Sequence, residues 1–253
     1  WSAGALAEGG LGRLSASDIE KTLSGRIYSA SFGVTDEAFV LSGATRGEDL
    51  DLEMQVLAAY LTDPGWRPEA FGRYSAAAAL IHDQLASTGA GVLGRDLGVL
   101  LRSGDRRWGI PGREELSAAR LDDLKAAVGP SLANGPVEVV VVGDTTVEKV
   151  LDAVSRTFGA LPVRADASTL PAEQTRVRFP EGGGAPVVRT HKGRADQAIL
   201  FTAWPTTGYF EDPKGARANF LLAHVLNLRL TDEIREKQGA AYSPSADATY
   251  SLV

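Results

Sequence analysis

The run Val137–Val142 limits the fold more than any other stretch. Five of its six residues are valine, with Glu138 the single polar member. Branching at Cβ disfavours a helix and suits a pleated surface. A run this apolar predicts a strand covered on both faces. The neighbouring sequence supplies covering layers. Gly143-Asp144-Thr145 turns the run into Val147–Phe158, an amphipathic helix stopped at Gly159. Upstream, Ser17 with Glu20 three residues later signals a helix start, and Gly25 its stop. Arg26–Gly33 and Ala38–Gly43 alternate like strands, joined by a turn at Thr35-Asp36-Glu37. Gly47–Leu61, Pro68–Ala86, Leu93–Leu101 and Leu116–Val128 carry helical periodicity, with breaks at Asp63-Pro64-Gly65 and Gly129-Pro130. The order α-β-β-α-α-α-β-α predicts an α+β layering of helices on a sheet.

Arg164–Gly184 gathers Asp, Ser, Thr, Pro, Glu and Gly, ends in three glycines, and has little apolar periodicity. It predicts a linker. Beyond it, Pro186–Thr190 and Gln197–Trp204 predict strands, Ala216–Lys237 a helix, and Tyr242 onward a further strand. The expected organisation is therefore residues 1–163, a linker at 164–184, and the opening of a second α+β domain at 185–253. The first residue is not Met and the last run, ATYSLV, is strand-like, so both ends predict a piece of a longer chain.

Several function classes fall away. The absence of cysteine excludes disulfide frameworks, thiolate-held metals and thiol nucleophiles, and fits either redox compartment. A net charge of −6 without a basic cluster argues against nucleic acid as a partner. No apolar run approaches the roughly 20 residues needed to span a bilayer. WSAGALAEGG lacks the basic start and apolar core of a signal peptide.

Motifs for complete catalytic centres are missing. His82, His191 and His224 form neither HxxEH nor HExxH, and a catalytic zinc needs about three convergent ligands. His82 and Asp83 are adjacent on a helix, where neighbours point about 100° apart. No G-x-S-x-G elbow occurs. The glycine clusters at 9–12 and 182–184 do not sit as G-x-G-x-x-G between strand and helix, and Gly143-Asp144 lacks the glycine pattern of a nucleotide site.

LTDEIREKQGAAY, Leu230–Tyr242, is the stretch that carries chemistry. It closes a long amphipathic helix, breaks at Gly239, and brings Tyr242 seven residues after Arg235. Structurally, Arg235 suits the negative end of a helix dipole, Gly239 a left-handed cap, and Tyr242 a half-buried aromatic. Functionally, a guanidinium and a phenol at one corner can both donate to a substrate carbonyl or a developing oxyanion.

This segment, continued as LTDEIREKQGAAYSPSA, resembles the arginine–tyrosine segment of the insulinase/pitrilysin family of zinc metallopeptidases. VEVVVVGDTTVEKVLDAVSRTFGALPVR is similar to the VVGD…F-G-x-L-P ending of a domain in that family. GGLGRLSASDIEKTLSGRIYSASFGVTDEAFVLSGATRGEDLDLEMQVLAAYLTDP resembles the region after the zinc helix in related domains. The resemblance implies two consecutive related α+β domains, each a mainly antiparallel sheet packed with helices. Residues 1–163 would be the metal-free third of four domains, without its first strands, and 185–253 the truncated start of the fourth. Family members bind zinc through HxxEH and a later Glu in their N-terminal half. This chain has neither, with no Glu between Glu69 and Glu114. The resemblance thus implies the non-metal-binding C-terminal portion of a zinc endopeptidase. Arg235 and Tyr242 become substrate-binding and transition-state-stabilising residues, and the chain a chamber wall around a peptide. Zinc would sit in the N-terminal half of the same protein, itself the partner, with no cofactor in this chain. The alternatives are a non-catalytic structural or peptide-binding subunit of the family, and an unrelated α+β domain. The resemblance implies a periplasmic bacterial enzyme, with a cytoplasmic one as the alternative; substrate preference and oligomeric state are not written in the sequence.

Overall fold

A computed structural model describes residues 1–35, 38–166, 171–182 and 185–250. The contacts divide it into two units, one holding Trp1–Pro180 with Ala185–Ile199, the other built from Leu200 onward.

In the first unit, α1 (Ala5–Glu8) buries Ala5 and Leu6. Ser15 caps α2 (Ala16–Thr22): its hydroxyl accepts from the Asp18 amide, and the Asp18 carboxylate accepts from the Ser15 amide. The start lies two residues before the one expected at Ser17, because a cap at Ser15 turns Ile19 into the core one turn later. Strands β1 (Ser31–Val34) and β2 (Phe39–Ser42) pair antiparallel in the register Ser31↔Ser42 to Val34↔Phe39. The Thr35 amide donates to the Ala38 carbonyl at 2.9 Å and closes the hairpin; Asp36 and Glu37 of the expected turn lie outside the described residues. Only Phe32 of β1 is fully buried, so the hairpin covers the core with one face.

Helix α3 (Leu50–Thr62) supplies Val56, Tyr60 and Leu61 to that core, α4 (Pro68–Leu85) supplies Phe71, and both pack with Leu6 and Ile19. The Tyr60 hydroxyl donates to the Ala7 carbonyl at 3.0 Å, satisfying its polar end inside the packing. Next come α5 (Gly89–Leu100), capped by Thr88, and a single 3₁₀ turn at Arg106–Trp108. The expected helix Leu116–Val128 is in fact two helices, α6 (Arg113–Ala118) and α7 (Leu121–Asn134). Helix α7 runs through Pro130, where the sequence predicts a break. Interior proline costs ~3 kcal/mol or more. Leu124, Val128 and Leu132, spaced by four, all enter the core cluster, and their burial outweighs that cost. Thr146 caps α8 (Val147–Arg156), so Gly143–Thr146 serves as a plain turn. The short α9 (Ala172–Thr175) follows, with residues 167–170 and 183–184 of the expected linker outside the described residues.

The second unit is organised by α10 (Pro213–Leu230), whose N-cap Asp212 accepts from the Gly215 amide at 2.9 Å. It continues without a break into a π-helical turn, Thr231–Lys237.

The expected sheets are a correction. Among the described residues β1 and β2 form the one ladder, and the content is mostly helical with mixed helix and sheet. The runs Val137–Val142, Pro186–Thr190, Gln197–Trp204 and Tyr242 onward contain no strand among the described residues; Ser251–Val253 lie outside them. A strand exists only by pairing with another, and β-branched composition cannot supply the neighbour. Val142 is 93% exposed, where the sequence predicts a doubly covered strand. In the second unit a side chain replaces the missing strand. The Asn227 amide donates to the Ala246 carbonyl at 2.6 Å and accepts from the Ala246 amide at 2.8 Å. Both backbone groups are thereby satisfied from α10. No described helix is long and apolar enough to cross a membrane.

Two buried acids fix the segment before β1 onto α3. Asp49, 1% exposed, accepts from Arg26 Nη1 at 3.0 Å, the Ile27 amide at 3.0 Å and Arg46 Nε at 2.7 Å. The Ile27 amide first, then the two guanidinium groups, hold its carboxyl below the usual carboxylate range. Glu53, also buried, accepts from the Ser29 amide at 3.2 Å. Burial pushes its carboxyl up, against the pull of that amide.

These shifts act on stability with opposite sign. Asp49 stabilises above its unfolded pKa, and the contribution is lost as pH falls through its lowered folded value. Glu53 is tolerated best when protonated, so its burden grows as pH rises through its raised value. Asp49→Asn should lower the urea midpoint at neutral pH, with the deficit shrinking in acid. Glu53→Gln should raise it at neutral pH and match the wild type in acid. Denaturation series across roughly pH 3 to 7, spanning the carboxylate range, measure both. Leu6→Ala should remove about 2–5 kcal/mol by the same assay, since it empties a nearly inaccessible site.

Candidate functional site

The corner after α10 is built by local backbone chemistry. The π turn Thr231–Lys237 widens the helix just before it ends. The Gly239 amide then donates to the Arg235 carbonyl at 3.1 Å, and the Ala240 amide to the Ile234 carbonyl at 3.0 Å. These nested bonds resemble a Schellman cap, one residue wider because the preceding turn is wider. Gly239 takes φ 62°, the left-handed conformation that lets the chain double back.

The reversal carries Tyr242 to Arg235. The Arg235 guanidinium carbon lies 4.7 Å from the centre of the Tyr242 ring, within cation–π range. Arg235 Nε is 3.4 Å from Glu236 Oε1, a second loose tether. Tyr242 is 80% exposed, with its hydroxyl-bearing ring open to solvent. The two residues singled out in the sequence therefore meet, and they meet at the surface. Stacking orients the planar guanidinium while leaving its N–H edge available to an acceptor.

The histidines stand apart. His82 Nδ1 and Asp83 Oδ1 are 3.7 Å apart, too far for a hydrogen-bonded dyad. The other Asp83 oxygen pairs with Arg113. His191 Nδ1 accepts from the Gly193 amide at 3.1 Å, which leaves Nε2 to donate to the Gln197 carbonyl at 3.0 Å. Both ring nitrogens are thus occupied by backbone. His224 is exposed on α10. Among the described residues, no three His, Cys, Asp or Glu gather as a metal site.

One arrangement escaped sequence reasoning. Arg102 and Arg107, at the end of α5 and in the 3₁₀ turn, share a concavity of about 770 Å³ with Arg176 and Arg178. Arg107 pairs with Asp105 through Nε at 2.9 Å and donates through Nη2 to the Arg176 carbonyl at 2.9 Å. It also donates to the Gln174 carbonyl, pinning the strip that carries the other two arginines. The available signal was arginine density in RSGDRRW and RVR. Their separation of some seventy residues concealed it.

No curated protein matches the chain. Among solved structures, a protease from Helicobacter pylori superposes with a TM-score of 0.56 at 15% identity, covering 70% of this chain and 43% of its own. A mutant of the ferredoxin protease FusC in complex with Arabidopsis ferredoxin gives a TM-score of 0.53 at 19% identity, covering 68% of this chain and 19% of its own. At these identities the likeness is one of fold, and this chain spans less than half of either structure. Residues 121–252, just over half of the chain, match the family model described as the peptidase M16 inactive domain, and the chain belongs to that insulinase/pitrilysin-like peptidase family.

Proposed function

We propose that this chain is the substrate-holding, non-metal-binding C-terminal portion of a zinc endopeptidase. Residues 1–163 and 185–253 would be consecutive related domains walling a chamber. The observation that carries the reading is the pair Arg235–Tyr242, stacked at 4.7 Å and open to solvent. The guanidinium edge donates to a substrate carbonyl while the phenol donates alongside it, from a corner whose backbone is already fixed. Preorganised donors of this kind contribute to a transition state because they need not rearrange as charge develops.

The described residues do not fit a zinc ion. Both His191 nitrogens are engaged by backbone, and no metal-ligating cluster forms. We therefore assign the metal, and with it the bond-breaking chemistry, to the N-terminal half of the same protein, and route no step of it through this chain. A polypeptide is the ligand of choice, and FusC, a distant relative in fold, is solved with a bound protein. A periplasmic setting is part of the same proposal.

The family model's description as an inactive domain favours a second reading, a peptide-binding subunit that cleaves nothing. Turnover separates the two. In the longer protein, Arg235→Ala or Tyr242→Phe should lower peptide turnover about 10²–10³-fold with zinc content unchanged. Steady-state kinetics with metal analysis measure both, and turnover unaltered in either variant removes the role. The chain on its own should hydrolyse no peptide in a fluorogenic cleavage assay; cleavage would overturn the division of labour.

A further inference from the structure

We infer that the arginine-lined concavity between the α5 end and the strip Pro171–Pro180 is a second substrate contact, one that takes a carboxylate-rich peptide segment. It deepens the substrate-holding reading and rests on it for the source of the peptide. Its lining includes Arg102, Arg107, Arg176 and Arg178 against Asp105 and Glu173, four guanidinium groups to two carboxylates. The chain as a whole carries −6, so this local excess of two positive charges stands against the general field.

The four arginines are not equivalent. Arg107 is held by Asp105 and by two backbone carbonyls, and serves the architecture. Arg102 makes no ion pair among the described residues. Its guanidinium carbon lies 4.3 Å from the Trp108 ring centre and 5.7 Å from that of Phe179, and Nε has no hydrogen-bond partner. Stacking holds a guanidinium in place without neutralising it. Arg176 and Arg178 reach Glu173 only at 4.0 Å and 3.6 Å, with side chains 62% and 66% exposed. Those separations lie beyond good hydrogen bonds. Three cations therefore face the cavity with one loosely held carboxylate among them.

The chemistry favours carboxylates over phosphates. Glu173, the loosely held carboxylate of the lining, would repel the dense charge of a polyphosphate more than that of a single carboxylate. Single carboxylates spaced along a peptide can each meet one guanidinium, bidentate where geometry allows. A cavity of about 770 Å³ accommodates several residues of such a segment.

The test is fluorescence anisotropy of labelled hexaglutamate, with hexalysine as its counterpart, on the 253-residue chain. Hexaglutamate should bind more tightly, weaken as ionic strength rises, and weaken roughly tenfold or more in R176E/R178E, whose exposed positions leave the thermal melt unchanged. Equal binding of both peptides, or affinity unaffected by that double reversal, overturns the site. So does loss of binding in R235A with R176E/R178E retaining it, which would move the acidic contact to the other corner. Displacement by pyrophosphate at lower concentration than by free hexaglutamate would assign the cavity to phosphate and equally overturn the proposal. No turnover is read, so a failure of the protease reading leaves this result standing, and the converse holds too.

Discussion

Asp49 gathers three N–H donors from two directions, and the first unit is arranged around that convergence. The donors come from the segment entering β1 and from the loop entering α3. Without the carboxylate, a backbone amide and two guanidinium groups would lose their shared acceptor at once. The contact sets where the hairpin meets α3, and so where Phe32 enters the core beside Val56 and Tyr60. Glu53, one turn further along α3, repeats the device with the Ser29 amide. Its other oxygen lies where a side chain at Gly43 would stand, so the end of β2 is held to glycine by packing.

The long helices were readable in outline because helical periodicity is local, although α5 and α10 start at Gly89 and Pro213, ahead of the expected Leu93 and Ala216, and α6 and α7 replace one expected helix. Thr88, Thr146 and Asp212 cap helices by accepting amides a few residues ahead, and proline opens α4 and α10. The strands were not readable for the complementary reason. Val137–Val142 has every composition cue of a central strand, yet pairing is a property of two segments, and among the described residues no partner strand lies beside it. Pro130 shows the same limit from the other side. Its local cost is plain in sequence, whereas the burial of Val128 and Leu132 that offsets it depends on the whole core.

The Arg235–Tyr242 corner was legible since all its parts fall within thirteen residues: helix end, glycine, ring. What the spacing concealed was the widened turn. A π turn shifts the last helical residues around the axis, and the cap that follows is wider by the same residue. The arginine concavity lay beyond reach altogether. Its halves are linked through Arg107 to two carbonyls some seventy residues away, and backbone acceptors leave no mark on composition.

Gly239 has a positive φ and nothing within 4 Å of where a Cβ would stand. Bulk is therefore no obstacle there, whereas torsion is. The position is selective for handedness and indifferent to size: a mirror-image alanine would settle without protest, and its natural counterpart would not. That stereochemical preference, together with the two hydrogen bonds that close the cap, brings a phenol seven residues from a guanidinium round to face it.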